Sequence, residues 1–332
     1  MKSVSLLAIL ATILLAGCQQ TEELENANKN LQMSVEANIS NPNTISRYAG
    51  NTPNEAEFEA NDAIGISVND GAFVQWSYNG TTWNTTNSVN WNDKSSPHTF
   101  LAFYPYASNA SLNNIPMPNL SVQSGTMESV ATCDFLVAQK EQTYGENGTV
   151  SFTDDYAFEH VSSLVTIKLK GDGELTSATI TNISINGTDI ITPTTYSFTP
   201  TDEEESPITL DSEDENKKDL LSISPNHQMT SAGATFYFVL NPGTVNLSNV
   251  KLSIKYTKTG DNEEGKEYKA ELQGLGTNNI NTFDSGKQYS YTLKIASGSL
   301  VITGNEIAEW GTGLTLEDIV INGSTITEGP EQ

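Results

Sequence analysis

The sequence predicts an all-β protein, and three observations carry that expectation. Threonine, serine and asparagine are abundant while lysine and arginine are few, which favours strands and turns over helical bundles. Apolar residues alternate with polar ones over short segments, the period of a strand with one buried face. Turn signals separate those segments at short intervals, the pattern of β-sandwiches. A length of 332 residues points to two domains, and a 36% apolar fraction suffices for two small cores. With 41 acidic side chains against 16 basic ones, the formal charge is -25. Such a charge repels phosphate backbones and anionic lipid headgroups, so nucleic acid is not an expected partner and a membrane is not held electrostatically.

The chain opens on an export signal. Met1-Lys2 precedes an apolar run from Val4 to Ala16, too short to span a bilayer and of the length of a secretory h-region. The run ends in Leu15-Ala16-Gly17-Cys18, which resembles a bacterial lipobox: small residues open the peptidase site and the cysteine sulfur takes a diacylglycerol. Several acyl chains anchor a protein stably where one does so only marginally, so the precursor is expected to meet the membrane only through lipid at Cys18. Gln19 and Gln20, in place of an aspartate, resemble the sorting positions of outer-membrane lipoproteins in Gram-negative bacteria. Residues 19–30 then read as a polar tether.

Leu31, Met33, Val35, Ala37 and Ile39 alternate with Gln32, Ser34, Glu36 and Asn38, which places every apolar side chain of this segment on one face. A half-buried strand is predicted there. Asn41-Pro42-Asn43 and an aperiodic stretch to Glu57 join it to the body as an exposed loop. Inside the loop lies Arg47, the only arginine of the chain beside 15 lysines. An arginine-specific protease would cut there once and nowhere else, detaching lipid and first strand together.

Further strands are predicted at Ala63 to Val68 and Phe73 to Tyr78, the latter turning at Asn79-Gly80, a pair suited to a two-residue hairpin because both residues tolerate positive φ. His98 to Tyr106 is a strand that proline stops, and Cys133 to Ala138 and Val161 to Leu169 follow. Lys170-Gly171-Asp172-Gly173 reads as the domain boundary, giving an N-terminal sandwich over 48–171 and a C-terminal one over 172–332. The second half repeats the style at Ala178 to Ile185, Thr235 to Leu240, Val250 to Tyr256, Tyr268 to Leu272, Gln288 to Ile295 and Leu300 to Ile302. The acidic stretches Asp202 to Glu205 and Asp211 to Glu215 read as a solvated loop. Counted from Asp211, the sixth position of a calcium loop is Asn216 rather than the required glycine.

Catalytic chemistry is not indicated. His98, His160 and His227 lie far apart in sequence, neither a zinc-binding helical pair nor a nucleophile elbow occurs, and no glycine-rich phosphate loop precedes a helix. No enzyme activity, cofactor or metal is therefore expected. With Cys18 lipidated, Cys133 is a lone thiol that reads as a small buried hydrophobe. Trp76, Trp83 and Trp91 have the chemistry of a sugar-stacking platform, but core packing is the preferred reading.

Several segments, in order, resemble the fimbrillin family of Bacteroidales pilus subunits. They are Phe58 to Ile66, Phe100 to Tyr106, Asp134 to Ala138, Phe158 to Leu164, Phe283 to Tyr291 and Ile307 to Trp310, with the lipobox ahead of them. The resemblance implies two transthyretin-like β-sandwich domains in tandem, export as a lipoprotein, and trimming by an arginine-specific protease in the loop after the first strand. Arg47 matches that position, and Tyr48 would become the new N-terminus. It further implies that removing the first strand opens a groove which a strand of another pilin subunit fills. Expected partners are therefore other pilin subunits, the protease, and a host or microbial surface ligand.

Elementary energetics agree with that scheme. Losing Leu31 to Ile39 would leave unpaired backbone groups beside an apolar groove, a template for an incoming strand. Beyond Trp310, the tail carries Leu314, Leu316, Ile319 and Ile321 as a candidate donor strand, its alternation broken at Glu317-Asp318. The opposing reading is that this tail completes its own sandwich. A pilus subunit is thus set against a non-polymerising surface lipoprotein, either a pilus anchor or a glycan-binding module, that keeps its lipid.

Overall fold

In the computed structural model of the protein, the residues described are 31–40, 57–145, 147–191, 194–199, 207–210, 218–242, 250–260, 265–272, 283–310 and 327–328. Cys18, Arg47, Tyr48, Leu314, Leu316, Ile319, Ile321 and the acidic stretches around Asp202 and Asp211 lie outside them. The protein is all-β, as expected, apart from one α-helix and three short 3-10 turns among the described residues.

The first half carries β1 (Ser34–Ala37), β2 (Ala63–Val68), β3 (Val74–Tyr78), β4 (Trp83–Asn84), β5 (His98–Tyr104), β6 (Ile115–Pro116), β7 (Leu136–Gln142), β8 (Thr149–Phe152) and β9 (Glu159–His160). Six of them form one sheet in the order β4-β3-β2-β5-β7-β9, and β1 pairs with β8 in a second, two-stranded sheet. One core lies between these layers: Ile64, Ile66, Trp76, Phe100, Ala102 and Leu136 from the larger sheet meet Met33, Val35, Val150 and Phe152 from the smaller. β5 is buried on both faces, which is why it reads as a continuous apolar run. Phe100 and Ala102 enter that core, while Phe103 joins Ile115, Phe135 and Val161 on the other side.

The hairpin at Asn79-Gly80 departs from the expected two-residue turn. Tyr78 pairs with Trp83, so the loop spans the four residues between them, and of its two expected positive-φ residues only Gly80 has one, at 92°. Asn79 acts instead through its side chain, whose oxygen accepts from the N–H groups of Thr81 at 2.9 Å and Thr82 at 2.8 Å. A two-residue hairpin with both φ positive does occur at Ser297-Gly298, between paired Ala296 and Ser299.

The second half comprises β10 (Ser163–Leu169), β11 (Thr179–Ile191), β12 (Thr194–Tyr196), β13 (Ile208–Leu210), β14 (Lys218–Ile223), β15 (His227–Gln228), β16 (Ala234–Leu240), β17 (Lys251–Thr257), β18 (Lys266–Glu271), β19 (Lys287–Ala296), β20 (Ser299–Glu309) and β21 (Thr327–Glu328). A four-stranded sheet runs β16-β10-β19-β20, and a larger one runs β14-β11-β17-β18-β21 with β15 on β11. Val165, Ile167, Phe238 and Tyr291 of the first pack on Ile183, Ile185, Leu252 and Ile254 of the second. Two packed layers around one apolar core make this half a β-sandwich.

The strand that precedes Lys170-Gly171 belongs to the second half's sheet. β10, which the sequence assigns to the end of the first half, pairs with β16 on one side and β19 on the other, at the centre of the second half's sheet. The step from the six-stranded sheet to the four-stranded one falls between His160 and Ser163, while β6 of the first half pairs with β12 of the second across it. A turn signal marks where a strand ends, but only long-range pairing decides which sheet owns the strand that precedes it.

The helix, α1 (Met127–Cys133), is absent from the sequence expectation, which placed Cys133 at the start of a strand. Thr126 caps it by accepting from the Ser129 N–H, and Val130 and Cys133 are its buried residues. They pack on Leu164, Val239 and Trp310, which ties the first half to the second. Seven residues are too few for a periodicity signal to outweigh neighbouring strand-like sequence.

Candidate assembly site and the junction beside it

The predicted first strand lies inside the protein fold. β1 runs parallel to β8, with Val35 opposite Val150 and Ala37 opposite Phe152, and single bridges extend the pairing to Gln32 and Ile39. Met33, Val35 and Ile39 are buried, and Leu31 and Ala37 pack against the same core half-buried. Every second residue faces inward, as the alternation requires.

Backbone bonds hold this strand from two sides. On one side Met33 N–H donates to Val89 at 2.9 Å and Leu31 accepts from Trp91 N–H at 2.8 Å. On the other, Ser34 N–H donates to Gly148 at 3.2 Å, Asn38 N–H to Phe152 at 2.9 Å and Ser40 N–H to Phe158 at 2.6 Å, while Phe158 N–H returns a bond to Asn38 at 2.9 Å. The Ser34 and Thr149 hydroxyls bond at 2.8 Å. Beneath the strand lies an aromatic floor in which Phe58 meets Trp83, Tyr104 and Phe158 edge-on, and the Trp91 indole N–H donates to the Gly148 carbonyl at 2.8 Å. Burial of Met33, Val35 and Ile39 contributes roughly 5–9 kcal/mol as an upper bound.

Withdrawal of this strand would strip partners from the carbonyls of Val89, Gly148, Phe152 and Phe158 and from the amides of Trp91 and Phe158. It would also uncover the aromatic floor. An opened site would present unpaired backbone groups beside an apolar surface.

Next to it, four of the sequence segments singled out above converge. His160 Nδ1 lies 3.1 Å from Asp134 Oδ1 and 3.0 Å from its Oδ2, both side chains being buried. The opposite partner of the imidazole is Trp310, stacked at a centroid distance of 4.4 Å and an interplanar angle of 5°. Trp310 N–H donates to Gly286 at 2.7 Å, and Gly286 N–H donates to Ser162 at 3.0 Å. Gly286 has φ 68°, and a Cβ there would stand 3.1 Å from the His160 carbonyl oxygen. Ser285 and Ser163 hydroxyls lace the same junction through the Val161 and Asp284 carbonyls, each at 2.7 Å. In the sequence these segments are separate strings, and only the fold brings them together.

The remaining candidates occupy structural positions. Trp76, Trp83 and Trp91 are 3%, 7% and 1% exposed, so they form core and not a sugar platform. Cys133 is buried, and burial raises its thiol pKa. No cluster of three or more His, Cys, Asp or Glu placed to hold a metal ion occurs among the described residues. Nor does any described helix have the length and apolarity to cross a membrane.

A family profile described as fimbrillin-like matches residues 47–310, and the chain belongs to that family. Among solved structures it is similar to a candidate cell adhesion protein from Bacteroides uniformis ATCC 8492, with 18% identity, a TM-score of 0.56, and 84% of this chain and 98% of that one covered. A second candidate cell adhesion protein, from Bacteroides ovatus ATCC 8483, gives 17% identity and a TM-score of 0.54 over 86% and 99% of the two chains. At such identities the likeness shows a shared fold. None of the curated proteins matches the chain.

Proposed function

We propose that this chain is a non-enzymatic structural subunit of a cell-surface pilus, exported as a lipoprotein through Cys18 and polymerised by strand exchange after cleavage at Arg47. The observation that carries the reading is the placement of β1: a strand with a fully apolar inner face, held by backbone bonds, and joined to the rest of the fold through the segment that contains the single arginine of the chain. A cut there separates β1 covalently from everything it packs on. Tyr48 is then the new N-terminus, and the family match begins beside it. The vacated groove takes a strand from another subunit, and restored backbone bonds at roughly 0.5–1.5 kcal/mol each, added to apolar burial, make the joint long-lived.

The donor proposed is the tail with Leu314, Leu316, Ile319 and Ile321. One observation favours the opposing reading for the uncut chain: Thr327 and Glu328 pair with Ala270 and Lys269 of β18 in the same molecule. A subunit whose tail stays there completes its own sheet and does not polymerise, as an anchor that keeps its lipid would. Both readings meet one experiment. Treatment of the full chain with an arginine-specific protease should give a single cut before Tyr48 and higher assemblies by size, and Arg47→Ala should remain uncut and monomeric. Cleavage that leaves a monomer, or assembly by Arg47→Ala, would overturn the exchange scheme.

A further inference from the structure

We infer that the chain between Tyr104 and Leu136 is a clasp, gripping both sheets of the second sandwich so that the two halves unfold as one cooperative unit. It separates β5 from β7, which are antiparallel neighbours in the first half's sheet and could be joined by a short turn. The chain instead leaves the sheet, reaches the second half and returns. Its first grip is on the larger sheet. β6 pairs with β12, Ile115 opposite Tyr196, and β12 follows directly on β11 of that sheet. Met117 N–H donates to the Thr194 carbonyl at 3.0 Å, and the Leu112 carbonyl accepts from Phe198 N–H at 2.8 Å. The Phe198 ring meets Phe73 of the first half at a centroid distance of 6.2 Å. The second grip is on the four-stranded sheet, where Gln123 bonds both backbone groups of Val239 and α1 packs Val130 and Cys133 on Leu164 and Val239. Gly125 passes between the two sheets: its carbonyl accepts from Tyr237 N–H of β16, and a Cβ on it would run into Ile223 of β14. With φ at 82° and no room for a side chain, that position requires glycine.

Two domains joined by a short linker ordinarily move as separate bodies and unfold separately. Here the chain passes from one sandwich to the other between His160 and Ser163, and unfolding either half breaks a grip that the other half shares. Neither core can therefore be lost without cost to its neighbour. In the proposed fibre, tension would enter the first half at the strand joint and leave through the second, with both grips bearing it beside the crossing. That consequence rests on the pilus reading; the coupling itself does not.

The test uses the full uncut chain in urea, with hydrogen exchange read separately at β5 for the first core and at β17 for the second. Protection of both should be lost at one midpoint. Ile66→Ala, which opens a cavity in the first core, should lower the two midpoints equally, by about 0.5–1 M urea. In a chain carrying Gln123→Ala, Val130→Ala and Phe198→Ala the midpoints should separate, and Ile66→Ala should then move only the first. A second-core midpoint that ignores Ile66→Ala in the otherwise unaltered chain would overturn the clasp, whether or not the triple variant folds. Midpoints that stay together in the triple variant would overturn it too, because the coupling would then run through other contacts. No cleavage or assembly enters the measurement, so a chain that fails it can still polymerise, and a chain that never polymerises can still pass it.

Discussion

Val239, on the outer edge of β16, has both of its backbone groups bonded by one side chain. Gln123 Oε1 accepts from its N–H at 2.6 Å, and Gln123 Nε2 donates to its carbonyl at 2.8 Å. The amide thus stands in for a neighbouring strand, and Tyr237 N–H, bonded to Gly125 at 3.0 Å, extends the seal. Exposed edges invite pairing with other chains, so this seal confines strand addition to other places. Gln123→Ala should cost about 2–3 kcal/mol, read as a lower urea midpoint at unchanged slope, because two buried backbone groups lose their partner. Asp93 gives a second test at this scale. Its carboxylate accepts from Ser96 N–H at 2.6 Å and Ser95 N–H at 2.7 Å, and these backbone bonds, that of Ser96 foremost, lower its pKa to about 2. A folded value below the unfolded one means that this loop's stabilisation is complete above the ordinary aspartate range and is lost as pH falls through about 2. An NMR titration should place the midpoint there, and a midpoint in the usual range would show that the turn is not formed.

Strands differ in how visible they were. β2, β5, β16 and β17 fall within a residue or two of the expected segments, because each buries a short apolar run whose period is set by the pleat. β1 showed the same alternation, yet its parallel pairing with β8 and its bonds to Val89, Trp91 and Phe158 depend on residues far along the chain. A prediction follows from the proposed exchange. Val35→Ala should destabilise the uncut chain by about 2 kcal/mol through loss of buried methyl groups. Fibres grown after cleavage should be indistinguishable from wild type, since they no longer contain residue 35. A matched loss of fibre stability would mean that the strand stays in the polymer.

For the whole molecule, charge and architecture act on assembly in opposite directions. A formal charge of -25 makes two copies repel, while the groove proposed to open beneath β1 would offer apolar area and backbone partners to an incoming strand. Repulsion reaches about 30 Å at 0.01 M salt and about 8 Å at 0.15 M. Light scattering after cleavage should therefore show assembly accelerating as salt rises between those limits, whereas a rate that falls would mean complementary charged faces steer the encounter. Each of the two main cores is assembled from one side of the His160 to Ser163 crossing, but α1 and Gln123 come from the first half and close the second half's sheet. The halves are therefore interlocked by side chains rather than merely linked in sequence.

The amino-acid order alone determined the all-β class, the alternation of Leu31 to Ile39, the uniqueness of Arg47 and the absence of a catalytic motif, since each is a matter of composition or of neighbours within a few positions. The family segments were legible too, as separate strings. Tertiary structure alone decided that β10 belongs to the second sheet and that a short helix carries Cys133. It also brought Asp134, His160, Gly286 and Trp310 to one junction. Those outcomes rest on which distant backbone edges find each other and which side chains fill the gaps between sheets, and such pairings are fixed only by the energy of the whole packed chain.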